Sequence, residues 1–208
     1  MAHTERMGEA GGEITYPMHD NLYLNITNRC NLRCRFCAKS SGAWEISGVN
    51  LALLHEPNSA DVINEIGDPT RYSQVVFCGL GEASLRLDAV LEISRAIKAK
   101  GAYIRLNTDG LANFAHGRDV IPQLAGVIDE VSISMNAQDS QLYQQHCQPK
   151  MHYAYEYMIQ FVKRAQRHFK HVTVSAIDGL DGVDTDKCRD LAFAMGVEFR
   201  RRSLSRYC

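Results

Sequence analysis

The sequence predicts an α/β protein built on a parallel sheet, and three observations carry that prediction. Short runs rich in β-branched and aromatic residues alternate along the chain with longer stretches of helical period. Helices placed between successive strands make the strands parallel and the connections right-handed. Most of the runs end in Gly, Asn, Asp or Ser, which puts the polar motifs at the C-terminal ends of the strands, where ligands gather in such folds.

Six strands are expected. Leu22-Tyr-Leu-Asn-Ile26 alternates apolar and polar residues and ends at a cysteine-rich loop. The small, polar segment 38–48 that follows carries Trp44, the single tryptophan, and reads as a loop in which Trp44 is a packing anchor. Ser59 is an expected N-cap for a helix running to Ile66 and stopped by Gly67. Gln74–Cys78 is a buried strand that ends in Gly79-Leu-Gly-Glu82. Leu87–Ala99 has apolar residues at 87, 90, 91, 93, 96 and 97, a helical period closed by Gly101. Tyr103–Leu106 is the next strand, with Asn107-Thr-Asp-Gly110 behind it. A short helix is expected near 120–124, a strand at 131–135 and helices at 139–147 and 153–169. A strand at 171–177, a helix at 185–195 and a last strand at 197–200 complete the order.

A chain of 208 residues, 45% of them hydrophobic, is enough for one domain with one sizeable core. Residues 1–15 read as a flexible N-terminal tail and 16–208 as the core domain. The formal net charge of -1 supplies no bulk drive toward nucleic acid or a membrane surface, so neither is expected as a partner, although local patterning leaves nucleic acid open. No apolar run approaches the roughly eighteen residues of a membrane span, and the N-terminus lacks the apolar centre of a signal peptide. Seven cysteines, with no secretory signal, read as reduced thiols and metal ligands in a cytoplasmic protein. The basic stretches Lys163-Arg164, Arg167, Lys170, Arg200–Arg202 and Arg206 read as a solvated helix face and a charged sheet edge.

Three of the cysteines, Cys30, Cys34 and Cys37, fall within eight residues. Such spacing lets one irregular loop turn three sulfurs toward a common centre, as an iron–sulfur cluster requires. Three protein ligands leave one position of a four-iron cluster open, which marks a site for chemistry rather than scaffolding. The alternatives are a structural zinc site completed by His19 or His55, or a chance cluster of buried thiols. Cys78, Cys147, Cys188 and Cys208 lack cluster spacing, so no second cluster is expected.

The run Cys30-Asn-Leu-Arg-Cys34-Arg-Phe-Cys37, with an aromatic residue before the third cysteine, resembles the signature of the radical SAM enzymes. Gly79-Leu-Gly-Glu82 resembles that superfamily's glycine-rich turn with glutamate, with Leu80 in the middle place and Ala83 where proline is common. The resemblance implies an α/β partial (β/α)6 barrel with parallel strands, open on one side. It also implies a [4Fe-4S] cluster on Cys30, Cys34 and Cys37, and S-adenosyl-L-methionine held by Gly79, Gly81, Glu82, Asn107, Ser134 and Asn136. The implied reaction is reductive cleavage of that cofactor to a 5′-deoxyadenosyl radical, which abstracts hydrogen from a substrate.

A radical activase acting on a partner protein and a noncatalytic iron–sulfur or zinc module are the alternative functions. Softer features, the Trp44 segment, SISMNAQD, Gln148-Pro149-Lys150 and the ending GVEFRRR, resemble the short radical SAM proteins associated with TatD-type hydrolases. The partners so implied are an electron donor such as flavodoxin or ferredoxin, a TatD-type hydrolase, and a large peptide or protein substrate. The last fits a barrel whose final strand ends near Arg200 with little chain left to form a lid.

Overall fold

The computed structural model describes residues 11–204. A seven-stranded sheet runs in the order β1 (Thr15–Met18), β2 (Asn21–Leu24), β5 (Gln74–Phe77), β6 (Ile104–Thr108), β7 (Glu130–Ser134), β8 (His171–Asp178) and β9 (Glu198–Ser203). From β2 onward neighbours are parallel and follow chain order. Helices α1 (Ser59–Ile66), α2 (Leu87–Lys98), the short α3 (Ala112–Ala115) and α4 (Ile121–Ala125), α5 (Ser140–Cys147), α6 (Ala154–Ala165) and α7 (Thr185–Ala194) fill the connections. The architecture is α/β with a mostly parallel sheet, and β1 and β9 remain as edges, as in a partial barrel.

Strand β1 was not anticipated. It is short, contains Pro17 and pairs antiparallel with β2 at the edge of the sheet, the one place where a proline costs no central ladder bond. The tail expected over residues 1–15 lies outside the described residues up to position 10. Beyond it, Gly12 N donates to Ala52 O and Glu13 N to Asn50 O, and Thr15 opens β1. The small hairpin of β3 (Glu45–Ile46) and β4 (Val49–Asn50) lies within and just beyond the stretch read as a loop.

Two further details differ from expectation. The N-cap of α1 is Asn58, whose side chain accepts from Asp61 N, and Ser59 is the first helical residue. Strand β9 runs on to Ser203, past the expected end at Arg200, because it pairs in register with all of the C-terminal half of β8.

The sheet's two faces differ sharply in chemistry. Alternation and register put Leu24, Phe77, Leu106, Ile133 and Val174 on one face, fully buried. They share one core with Val62 of α1, Val90 and Ile93 of α2, and Met158, Phe161 and Val162 of α6. Each such side chain contributes about 1.5–3 kcal/mol by leaving water. The other face carries Tyr23, Val76, Arg105, Asn107, Ser132, Ser134, Thr173 and Ser175, and is the polar inner wall of the open barrel. No helix among the described residues is long and apolar enough to cross a membrane.

Candidate functional site

Residues 25–37 leave the C-terminal end of β2 and cross the tops of the neighbouring strands. The segment has almost no regular structure of its own, so other parts of the chain must satisfy its backbone. Arg33 N donates to Cys147 O at 3.0 Å and Arg35 N to His146 O at 2.8 Å, which docks the cysteine loop on the end of α5. Lys150 Nζ donates to Cys30 O at 2.8 Å and Lys39 Nζ to Asn28 O at 3.0 Å. Glu56 collects Thr27 Oγ1, Arg29 Nε at 2.7 Å and Arg86 Nε at 3.4 Å, and Arg86 also donates to Ile26 O. Nothing in the local pattern of Glu56 or Arg86 marked them, because their partners are 27 to 60 residues away.

The Gly79–Glu82 turn lies directly beneath this loop. A Cβ on Gly81 would stand 2.0 Å from Thr27 O, and one on Gly79 would stand 2.2 Å from Asn25 Oδ1. Both glycines are therefore required by close backbone approach inside the protein, whatever else approaches them. Leu80, the unusual middle residue, is buried with Tyr16 and Leu51, with Trp44 against the same cluster. Trp44 is thus a packing residue, and Lys39 Nζ stands 5.8 Å from its ring centroid. Asn25 is fully buried and ties the loop down by donating to Glu13 O and Leu51 O, each at 3.0 Å.

Glu82 is only 4% exposed, and its carboxylate faces protein. Oε1 accepts from Ser84 N at 3.0 Å and Thr108 Oγ1 at 2.9 Å, while Oε2 accepts from Asp109 N at 2.7 Å. Asp109 in turn accepts from Leu111 N at 2.9 Å and from Asn31 Nδ2 at 3.0 Å. One buried chain of bonds therefore joins the end of β5, the end of β6 and the residue next to Cys30. Burial holds both carboxyls above the ordinary carboxylate range, and for Asp109 the neighbouring Glu82 adds to the rise. Asp109 belongs to the expected 107–110 turn, yet its link to the cysteine loop had no signal in the sequence.

The other expected site residues divide. Asn107 and Ser134 are half-buried on the polar inner wall, near the rim. Asn136 lies past the end of β7 with φ 59°, so the alternation that would set it on one face with Ser134 has ended. It is 2% exposed; its Oδ1 accepts from Arg202 Nη2 at 2.6 Å and its Nδ2 faces Cys147 Sγ at 3.7 Å.

All three cysteines of the motif are half-buried on the one loop. Burial pushes the Cys30 and Cys37 thiols up. A hydrogen bond with Cys147, followed by burial, raises Cys34. Among the described residues no three His, Cys, Asp or Glu side chains stand ready around a metal ion, since the Cys34 thiol is turned to Cys147. The donor set nonetheless fits an iron–sulfur cluster: three half-buried thiols within eight residues of one irregular loop. His19 cannot complete a zinc site with them. It lies at the other end of β2, beside Asp20, Gln74 and Tyr103. The loop borders an open cavity of about 790 Å³, lined by Cys30 and by Arg29, Arg33, Arg35, Lys39 and Lys150, with no acidic residue.

Known proteins share this fold. The structure of TYW1 with a lysine-pyruvate adduct bound superposes with a TM-score of 0.62 at 15% identity, over 88% of this chain and 64% of that one. Streptococcus suis SuiB bound to precursor peptide SuiA gives a TM-score of 0.68 at 15% identity, over 91% of this chain and 39% of that one. At such identity the likeness is one of fold. A tungsten-containing aldehyde ferredoxin oxidoreductase cofactor-modifying protein from Pyrococcus furiosus is 27% identical over 89 residues, 43% of this chain and 23% of that protein. The chain thus spans less than two thirds of each of these proteins. Residues 24–194, from the end of β2 through α7, match the profile of the Radical SAM superfamily, and the chain belongs to that superfamily of enzymes.

Proposed function

We propose that this chain binds one [4Fe-4S] cluster through Cys30, Cys34 and Cys37, cleaves S-adenosyl-L-methionine and abstracts hydrogen from a substrate. The observation that carries the reading is the placement of three thiols on one loop, above a polar inner wall, in a chain of this superfamily. When bound, the cluster supplies the electron for reductive cleavage of the cofactor to methionine and a 5′-deoxyadenosyl radical. The chain's own part is to hold and shield. The Glu82–Asp109–Asn31 bonds fix the loop's height above the strands, and the Gly79–Gly81 turn brings backbone close beneath it. Asn107 and Ser134 offer polar contacts from the inner wall, while Asn136 acts through Arg202, to which it is already bonded.

The same reading carries the partners. The cation-lined cavity beside Cys30 suits an acidic one-electron donor of the flavodoxin or ferredoxin kind. The opening between the edge strands β1 and β9 suits a large substrate, peptide or protein, or a partner such as a TatD-type hydrolase that completes the enclosure. That the similar SuiB is bound to a precursor peptide supports a peptide-sized substrate.

Anaerobic reconstitution tests the reading. The parent should hold one cluster and form 5′-deoxyadenosine with dithionite and cofactor, and Cys34→Ala should lose both. Iron and sulfide kept at the parent level in Cys34→Ala, or no 5′-deoxyadenosine from a loaded parent, would sink it. A cognate peptide should accelerate formation of the nucleoside and transfer deuterium to it; rapid turnover of a small metabolite by the isolated chain would refute the large-substrate proposal.

A further inference from the structure

Arg105 is the second residue of β6, on the inner wall, and is only 7% exposed. Among the described residues its guanidinium makes no hydrogen bond and no ion pair, and its Nε is wholly buried without a partner. The acid across the strand pair, Glu130, accepts from Gln74 instead, at 3.2 Å. A buried charge left alone is among the costliest features a fold can keep, and it is retained where something outside the chain completes it. Two residues on, Asn107 shares the wall and leaves its buried Oδ1 unpartnered, an acceptor that suits a donor group of a ligand rather than its anion. Cys78, level with Asn107 at the end of β5, feels both the Arg105 and the Arg202 guanidiniums, which oppose the rise that burial imposes on its thiol. The feature facing the hollow is one buried, unpartnered guanidinium on the inner wall of β6.

We propose that this spot binds an anionic group of the substrate, a carboxylate or a phosphate, with Arg105 as its principal anchor. The inference rests on the preceding reading for the word substrate, and depth is what selects that source over the cofactor's own carboxylate. Arg105 lies three residues short of the end of β6, about 3.3 Å deeper for each. A group anchored there reaches below the cysteine loop into the hollow, where a substrate must lie to meet a radical formed at the rim. The planar guanidinium fork suits either anion.

The test uses the full, cluster-loaded chain with inorganic phosphate as probe, at constant ionic strength against chloride. Phosphate should raise the Tm of the parent saturably. Arg105→Gln should weaken that response by about tenfold or more, and Arg105→Lys should keep part of it. In chloride, Arg105→Gln should melt no lower than the parent, since it removes an unpaired buried charge. A lower melting point there would make Arg105 a structural residue and overturn the proposal. So would a phosphate response that is absent in the parent or unchanged in Arg105→Gln.

The second arm separates the two sources of anion. The cofactor-induced change in the electron paramagnetic resonance spectrum of the reduced cluster should be the same in Arg105→Gln as in the parent. Its loss would assign the anion to S-adenosylmethionine and overturn the substrate claim. Production of 5′-deoxyadenosine by the parent, measured in parallel, reports on the radical reading alone, so a failure there is distinguishable from a failure of phosphate to bind.

Discussion

On the outer face of the sheet Leu24, Phe77, Leu106, Ile133 and Val174 are fully buried against helices. On the inner face the neighbouring positions of the same strands are held by Tyr23, Val76, Arg105, Ser132 and Thr173. A pleated strand turns successive side chains to opposite sides, so each strand alternates a residue packed against helices with one facing the hollow. The outer face gains free energy from every apolar side chain it hides. The inner face spends it, because buried polar groups such as Asn107 Oδ1 and Arg105 Nε stay unpaired in the protein alone. Stability and chemistry are thereby separated within a few ångströms, and substitutions on the two faces should have different signatures.

Substitution of the outer face should have the largest effect. Leu106→Ala should cost about 2–5 kcal/mol in urea unfolding, with cofactor affinity of the folded protein unchanged. A loss below that range, or one confined to cofactor binding, would erase the distinction between the faces. Gly81→Ala comes next. Its new Cβ meets Thr27 O and forces the stretch from Thr27 to Arg29 upward, which should cost about 1–3 kcal/mol. Iron retained per folded chain should fall with it, since that stretch leads directly into Cys30. Full iron content at parental stability would show that the loop has slack.

The acids past the C-terminal ends of β5 and β6 come third. Glu82 and Asp109 keep their protons in the folded state to higher pH than in the unfolded chain. Between the ordinary carboxylate pKa, about 4, and the folded values, the native state binds more protons, so stability falls as pH rises through that window. The metal-free parent should show this decline in urea titrations at successive pH values, and Asp109→Asn should make it shallower. An identical slope in both would mean that Asp109 does not contribute. Ser134→Ala on the inner wall should have the smallest effect on stability, about 1 kcal/mol or less. It should still weaken S-adenosylmethionine binding, measured calorimetrically on the loaded protein. Unchanged affinity would remove Ser134 from the cofactor pocket.

How much of this was legible before the structure depends on the range of the interactions involved. The parallel α/β order was legible because alternation and helical period are local patterns, and the six parallel strands appear where those patterns place them. Cys30, Cys34 and Cys37 were legible as a candidate metal site because three thiols within eight residues of one loop are a local pattern. Strand β1 was not, since Thr15-Tyr-Pro-Met18 becomes a strand only by pairing with β2. Gly79 and Gly81 were recognised as a turn, but the sequence offered a ligand as the reason for them. The structure supplies another, the close approach of Asn25 and Thr27. Glu56, Arg86 and the bond from Asn31 to Asp109 were beyond reach, because each joins residues 27 to 78 positions apart. Arg105 makes the same point most plainly. In sequence it is one polar residue in an alternating strand, and only the closing of strands around a common hollow decides that its charge is buried, inward-facing and without a partner.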